Sequence, residues 1–355
     1  MHDYLVTMGG AERVFLSIAR AFPEAPIYTS IFRPDTALPE FRSMEVRPLW
    51  SNRLPLTEAN YRAGVMAFAA SFDRLRLAGY DVVISSSSAF AKNAGRDARR
   101  RIWYCYTPPR FIWPCGESSH PAGPLERAAL MPATGALRRW DRQVAGRSDR
   151  ILAISSEVRD RVRRFYGMDA EVLHPPVWND VNGMRTDDDP RRGYLVVSRL
   201  NRYKAIDVAI EACREAGAPL SIIGRGSDEA RLRALAGDTV TFRGRVTDEE
   251  LHHAYRGAEA VLLPGEEDWG MTPLEANAHG TPAIAAARGG ALETVIDGTT
   301  GVLYRPYGYR DLALAMGRAS ATSFSAARLR EHAAGFGEKA FQDTLARHVA
   351  EVAGA

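Results

Sequence analysis

At 355 residues, 46% hydrophobic and 25% charged, the chain is long for one doubly wound α/β domain and comfortable for two, each able to bury its own core. No apolar run of about 18 residues is present, so no spanning helix is expected, and Met1-His2-Asp3 does not begin a secretory signal. The net charge is only +3, and the three cysteines (Cys105, Cys115 and Cys213) lack metal-ligand spacing, which fits a reducing cytoplasm better than a disulfide framework.

The first stretch, HDYLVTMGGAERVFLSIARAF, reads as a turn at Gly9-Gly10 feeding a helix with Val14, Ile18, Ala21 and Phe22 on one face. Paired glycines ahead of a helix let backbone amides approach a phosphate, although most such pairs are plain turns. A Rossmann-like domain places an apolar strand before its first glycine loop, and little precedes His2. The expectation is that the chain as given lacks about five to eight residues of a first, central strand.

A short strand at Pro26 to Thr29 and helical segments across Glu58 to Leu75 lead to a buried strand, Asp81 to Ser85. Ser85 to Ser88 are read as its loop at the ligand edge, either hydrogen-bonding a sugar acceptor or, the better reading, plain loop. The strand Arg101 to Tyr106 runs into YCYTPPRFIW, a rigid, partly apolar loop. Leu125 to Arg147 is basic and partly helical, with Arg138, Arg139, Arg142 and Arg147; Arg159, Arg161, Arg163 and Arg164 follow on the next helix. A solvated helix face is the simpler account of these arginines, and peripheral contact with anionic lipid at the inner face of the cell membrane is the alternative. No nucleic-acid-binding motif accompanies them.

Arg150 to Ser155 and Glu171 to His174 read as the last strands of a first domain that closes near Pro175-Pro176. In the linker Asn179 to Arg192, Asp187-Asp188-Asp189 contains a D-x-D pattern, read as solvated acid because no strand leads into it, so no metal is called for. A second domain opens with the strand Tyr194 to Ser198, the turn Arg199 to Lys204 and a helix reaching Gly217. Only Lys92, Lys204 and Lys339 are lysines, which makes Lys204 conspicuous. Arg199 and Lys204, five residues apart across a strand-to-helix turn, would suit a diphosphate, the arginine as a planar fork and the lysine as a point charge, although on these residues alone surface charges are the better reading. LSIIGRG, Leu220 to Gly226, lacks the third glycine and ribose-binding acid of a dinucleotide fingerprint, so a dehydrogenase reading is weak.

The densest stretch is Gly265 to Thr281, GEEDWGMTPLEANAHGT, after the apolar strand Ala260 to Pro264. Thr272 is read as an N-cap, Pro273 as the first helical residue, and the helix stops near Gly280 and Pro282. The amides of Gly270, Met271 and Thr272 then face a diphosphate with the positive end of the helix dipole. Glu267 precedes the turn and Glu275 sits in the helix, so the two could grip different hydroxyl-bearing groups, although exposed loop acids are the default reading of Glu267 and Asp268. For Glu275 a capping box with Thr272 has equal standing. Pro282 to Ala286 is a further strand, Gly289-Gly290 a turn, and Phe341, Leu345, Val349 and Val352 one stripe of a C-terminal helix.

The stretch resembles the E-x7-E signature of the retaining glycosyltransferases of family 4, and HDYL-x3-GGAE, TP-x-R and R-x4-K extend the resemblance over nearly the whole chain. It implies the GT-B fold: an α/β chain of two Rossmann-like domains facing a cleft, here 1–176 (acceptor side) and 177–335 (nucleotide-sugar side), with 336–355 as a helix crossing back to the first. It further implies that Glu267 contacts the donor sugar and Glu275 the ribose, that Arg199 and Lys204 hold the diphosphate, and that Gly9-Gly10 face the phosphates and sugar. The backbone at Val246 would lie beside the base, and domain closure would bring Gly9-Gly10 toward Arg199 and Lys204. Asp3, Tyr106 and Arg110 are acceptor-side candidates. Tyr106 departs from the family's YCHTP, which has histidine there, and Ala205 replaces the usual glycine after the lysine.

The activity implied is metal-independent, cofactor-free transfer of a hexose, from GDP-mannose or a UDP-sugar, to a glycan, lipid-linked or small-molecule hydroxyl, as in polysaccharide-building mannosyltransferases. A sugar-nucleotide epimerase of the same fold and a non-catalytic nucleotide-sugar-binding subunit are the alternatives.

Overall fold

A computed structural model describes residues 1–57, 60–114, 124–177, 191–305 and 308–354, without the side chains of residues 62 and 124–133. Cys115, Asp187-Asp188-Asp189 and most of the linker reading therefore lie outside the described residues. The chain divides into two units, Met1–Pro176 with Glu338–Ala355, and Val177–Gly337.

In the first unit, α1 (Gly10–Ala21) buries Val14, Phe15, Leu16 and Ile18, and carries Glu12 in its first turn and Arg20 in its last, as the helix dipole favours. Strands β1 (Ile27–Thr29) and β2 (Val46–Pro48) pair in parallel. Beside them β3 (Val82–Ser87), β4 (Arg100–Cys105), β5 (Arg150–Ala153) and β6 (Glu171–Val172) form a parallel sheet in that order. His2 bridges Thr29 and Ser86 in parallel, linking the two sheets. An apolar cavity lies here, lined by Phe15, Ile18, Ile27, Val83 and Val349 among others. Ile102 to Cys105 have no exposed surface, as the continuous apolar run of a strand buried on both faces requires.

Helices α2 (Val65–Arg74), α3 (Pro124–Ala145) and α4 (Ser156–Tyr166) complete the unit. The ends of α4 follow from its sequence: Ser155 accepts the Val158 N–H at 3.1 Å, and Gly167 closes the helix at φ 69°. The C-terminal helix Glu338–Ala353 also belongs to this unit. Phe341 and Leu345 are buried, Phe341 lies edge-on to Tyr104 at 5.7 Å, and Ser17 Oγ donates to Glu338 at 2.6 Å. Val349 and Val352 on the same stripe are half-buried.

The serine run departs from the expected loop. Ser85 to Ser87 belong to β3 and are buried, because each hydroxyl has a partner inside the unit. Ser85 donates to Ala91 O at 3.2 Å, Ser86 bonds Tyr106 Oη at 2.8 Å, and Ser87 donates to Asp3 Oδ1 at 2.8 Å. A strand lined by hydroxyls is stable here only because those partners exist.

In the second unit β7 (Tyr194–Val197), β8 (Leu220–Ile223), β9 (Val240–Gly244), β10 (Ala260–Leu263), β11 (Ala283–Ala286) and β12 (Gly301–Tyr304) form one parallel sheet ordered β12-β11-β10-β7-β8-β9. Counted within the unit this is the doubly wound order 3-2-1-4-5-6 read from the other edge, so the chain reverses direction between β7 and β10. Around the sheet lie α5 (Ile206–Glu215), α6 (Glu229–Leu235), α7 (Asp248–Gly257), α8 (Met271–Ala278), α9 (Ala291–Thr294), α10 (Tyr309–Ser320) and α11 (Ala326–Ala334). One core face packs Val196, Ile210, Ile222, Leu262, Ile284 and Leu312 between sheet and helices. Among the described residues no helix is long and apolar enough to cross a membrane.

Candidate functional site

In a doubly wound sheet, ligands bind beyond the carboxyl ends of the strands where the winding reverses. Here β7 and β10 are direct neighbours, Ala260 pairing with Tyr194 and Val261 with Leu195. The loop after β7 carries Arg199 to Lys204, and the loop after β10 carries Gly265 to Gly270, so the topology brings the predicted cations and Glu267 to one edge. Gly265 makes the approach possible: a Cβ there would stand 2.8 Å from the Lys204 main chain.

Across this gap the Lys204 ammonium forms an ion pair with Glu267 Oε1. Their side chains are 10% and 18% exposed, so the pair is largely shielded but still reaches solvent. Lys204 also lies over the Tyr203 ring at 5.0 Å, and Arg199 Nη2 donates to Tyr203 Oη at 3.2 Å. Arg199 is thus on the same loop, exposed, with its guanidinium directed by Tyr203. The Glu267 loop is fixed from the other side, where the Gly290 N–H donates to Glu267 O at 2.9 Å.

The start of the following helix corrects the sequence reading. Gly270, at φ 84°, is the N-cap of α8, and no side chain caps it. Thr272 lies inside the first turn and its hydroxyl donates to Val197 O at 3.4 Å, because the left-handed turn at Gly270 starts the helix two residues early. The first-turn amides, including Met271 and Thr272, have no acceptor within the helix. With Thr272 not a cap, the capping-box reading of Glu275 falls too. Its carboxylate instead accepts from Tyr255 Oη at 2.6 Å.

His279 closes α8 and donates from Nδ1 to Glu275 O at 2.7 Å, while its Nε2 lies 2.7 Å from His252 Nδ1. A carbonyl only accepts, so His279 Nδ1 bears the proton and Nε2 accepts from His252. Burial, with His252 and Arg256 nearby, pushes the His279 pKa down to about 4, so the ring is neutral near pH 7. Val246, on the loop after β9, packs against the cluster holding Tyr255, Leu195 and Ala276. The candidate base-side backbone and Glu275 therefore flank one apolar wall. Tyr255 and His279 were not singled out in the sequence; Tyr255 sits in an apolar stripe with Leu251 and Ala258 that looks like any core-facing helix.

The first-unit candidates are placed differently. Asp3 is 3% exposed, and its carboxylate accepts from Ser87 Oγ and from the amides of Ser88, Ala89, Phe90 and Ala91 at 2.7–3.0 Å. That carboxylate shapes the turn after β3. Tyr106 Oη donates to Ala11 O at 2.8 Å and accepts from Ser86 Oγ, tying β4 to the start of α1; burial pushes its pKa well above the usual phenol value. Gly9 is the N-cap of α1, with Gly10 as its first residue, and the Glu12 carboxylate lies where a Gly9 Cβ would stand. Arg110 is half-buried on the turn after β4. Of the arginines in the basic stretch, Arg138 and Arg142 lie over the Trp113 ring at 5.4 and 4.9 Å, and Arg139, Arg142, Arg159, Arg163 and Arg164 are exposed. Among the described residues no group of three or more His, Cys, Asp or Glu is placed to hold a metal ion.

Comparison with known proteins bears on this arrangement. Residues 8–178 match the model described as "Glycosyltransferase Family 4", and residues 186–336 the one described as "Glycosyl transferases group 1". A D-inositol 3-phosphate glycosyltransferase of Mycobacteroides abscessus is 32% identical over 58% of this chain and 52% of its own length. One from Streptomyces bingchenggensis is 30% identical over 68% of this chain and 62% of its own. These first relatives are thus matched over only about half to three-fifths of their length. One from Salinispora tropica is 30% identical over 83% of this chain and 70% of its own. HepE of Anabaena, solved with UDP, superposes with a TM-score of 0.74 over 99% of both chains at 17% identity. Two parallel-sheet α/β units, with a C-terminal helix returned to the first, are the architecture of the GT-B glycosyltransferases. By its sequence relatives and its fold, the chain belongs to glycosyltransferase family 4.

Proposed function

We propose that the chain is a retaining hexosyltransferase that takes its sugar from a nucleoside diphosphate donor and needs no metal. The observation that carries this reading is the Lys204–Glu267 pair between the ends of β7 and β10, beside the first turn of α8. A diphosphate entering this edge offers Lys204 two negative charges in place of one carboxylate. Glu267, released, then orients a hydroxyl of the donor sugar, and Glu275 takes the ribose. As the bond from the anomeric carbon to the phosphate oxygen breaks, charge accumulates on the leaving diphosphate. Lys204, Arg199 and the α8 amides stabilise it without reorganising. The acceptor hydroxyl attacks on the same face, and its proton passes to the departing phosphate oxygen, which leaves the anomeric configuration unchanged.

Solved relatives in this fold hold UDP or UDP-glucose, which supports a uridine donor, with GDP-mannose as the second candidate. The acceptor class is a hydroxyl on a glycan, a lipid-linked sugar or a small molecule. D-inositol 3-phosphate, named for the curated relatives, is the first acceptor to assay. The exposed arginines of α4 support peripheral contact with an anionic membrane.

The test is turnover of UDP-glucose and GDP-mannose with each acceptor, with product anomers read by NMR. Lys204→Ala is expected to lower turnover by on the order of a hundredfold, as loss of one preorganised charge contact does. Near-normal turnover in Lys204→Ala would remove the clamp, and donor binding without transfer or hydrolysis would favour a binding subunit.

A further inference from the structure

Resting on that reading of Glu275, we infer that Tyr255 is a positioning residue that sets the enzyme's discrimination for the ribose hydroxyls of its donor. A lone carboxylate at the start of a helix samples several rotamers and gives poor selectivity for a diol. Glu275 is held at two points. Tyr255 Oη donates to Oε2 at 2.6 Å, and His279 Nδ1 donates to its main-chain carbonyl at 2.7 Å. Among the described residues, Oε1 has no protein partner.

The support is itself rigid. Tyr255 is 2% exposed, and its ring stacks on His279 with centroids 5.0 Å apart; His279 stacks in turn on His252 at 4.9 Å. Thr281 Oγ1 donates to the Tyr255 carbonyl at 2.7 Å, fixing the residue from its main chain. With one oxygen occupied by a phenol, the carboxylate presents Oε1 and the remaining lone pair of Oε2 to two neighbouring hydroxyls. A vicinal diol matches that pair of acceptors, and a 2′-deoxyribose satisfies only one of them.

The hydroxyl is the single atom to remove, since the ring and its stacking survive in Tyr255→Phe. The experiment measures UDP and 2′-deoxy-UDP binding by calorimetry on the full chain. The native protein is expected to favour UDP by tenfold or more. Tyr255→Phe should weaken UDP about tenfold and leave 2′-deoxy-UDP nearly unaffected, so that the ratio collapses, with donor KM rising more than kcat falls. An unchanged ratio, or equal loss of both ligands, overturns the inference, because a merely structural role moves both alike. Glu275→Ala separates the two levels. If it keeps the preference for UDP, the ribose assignment of Glu275 fails; if it abolishes the preference while Tyr255→Phe does not, only the role of Tyr255 fails.

Discussion

Ala205 is the one non-glycine residue at positive φ among the described residues, at φ 51°, and it directly follows Lys204. A left-handed conformation costs an L-residue about 1–2 kcal/mol, partly offset by the lower unfolded-state entropy of alanine relative to glycine. Ala205→Gly is therefore expected to stabilise the chain by about 0.5–1 kcal/mol, read as a rise in the urea midpoint at unchanged slope. In sequence, alanine in place of glycine looks like a small change, since nothing in residue type reveals the handedness of one turn. Gly270 hid its role in the same way. A threonine followed by proline is a stronger helix-start signal than a glycine, yet a backbone turn at φ 84° took the cap. Glu267 and Lys204 were singled out by the family resemblance, since spacing alone reads as a loop acid and a surface charge; the sheet brings the two side chains together because they follow neighbouring parallel strands.

The basic helix α3 carries a contact the sequence did not show. Arg139 and Arg142 are exposed, as a solvated face requires, whereas Asp141 on the same helix is fully buried and pairs with Lys92 at 2.8 Å, both side chains having no exposed surface. Trp113 Nε1 and Tyr166 Oη each donate to Asp141 Oδ2 at 2.7 Å, so three elements meet on one carboxylate. Removing one partner leaves an uncompensated buried charge. Asp141→Ala is expected to cost about 3–5 kcal/mol, and the paired change Lys92→Met with Asp141→Leu to recover only part of it, because Trp113 Nε1 and Tyr166 Oη still lose their acceptor, measured by chemical denaturation. A single buried acid among exposed arginines leaves no periodic signal, so this cross-link was invisible until the helix was placed. Most of the parallel strands were read within a few residues of their observed ends, because buried strands give continuous apolar runs; β2 and β12 were not read as strands. Ser86 and Ser87 escaped because their hydroxyls find partners in Tyr106 and Asp3, both distant in sequence.

Each of the two units carries a histidine that burial keeps neutral. His2 in the first and His279 in the second both have pKa values pushed down to about 4 from 6.5. Because the folded values lie below the unfolded ones, the unfolded chain binds more protons between these limits. The stabilising contribution is present above pH 6.5 and is lost as pH falls toward 4. Melting temperature is expected to drop across that window, and His279→Gln to flatten the drop; a slope unchanged by His279→Gln would refute its share. Division into two α/β units followed from length and from strands alternating with helices. The strand order that puts β7 beside β10 is a property of the whole sheet, and no local pattern encodes it.

The central claim is that this edge of the second sheet, between Lys204 and Glu267, receives the donor diphosphate. A crystal structure of the chain bound to UDP, or to GDP where thermal shift prefers it, measures this directly. The account predicts a phosphate oxygen within hydrogen-bond distance of Lys204 Nζ, with the ribose on Glu275. A nucleotide bound elsewhere, with the Lys204–Glu267 pair undisturbed, would contradict it.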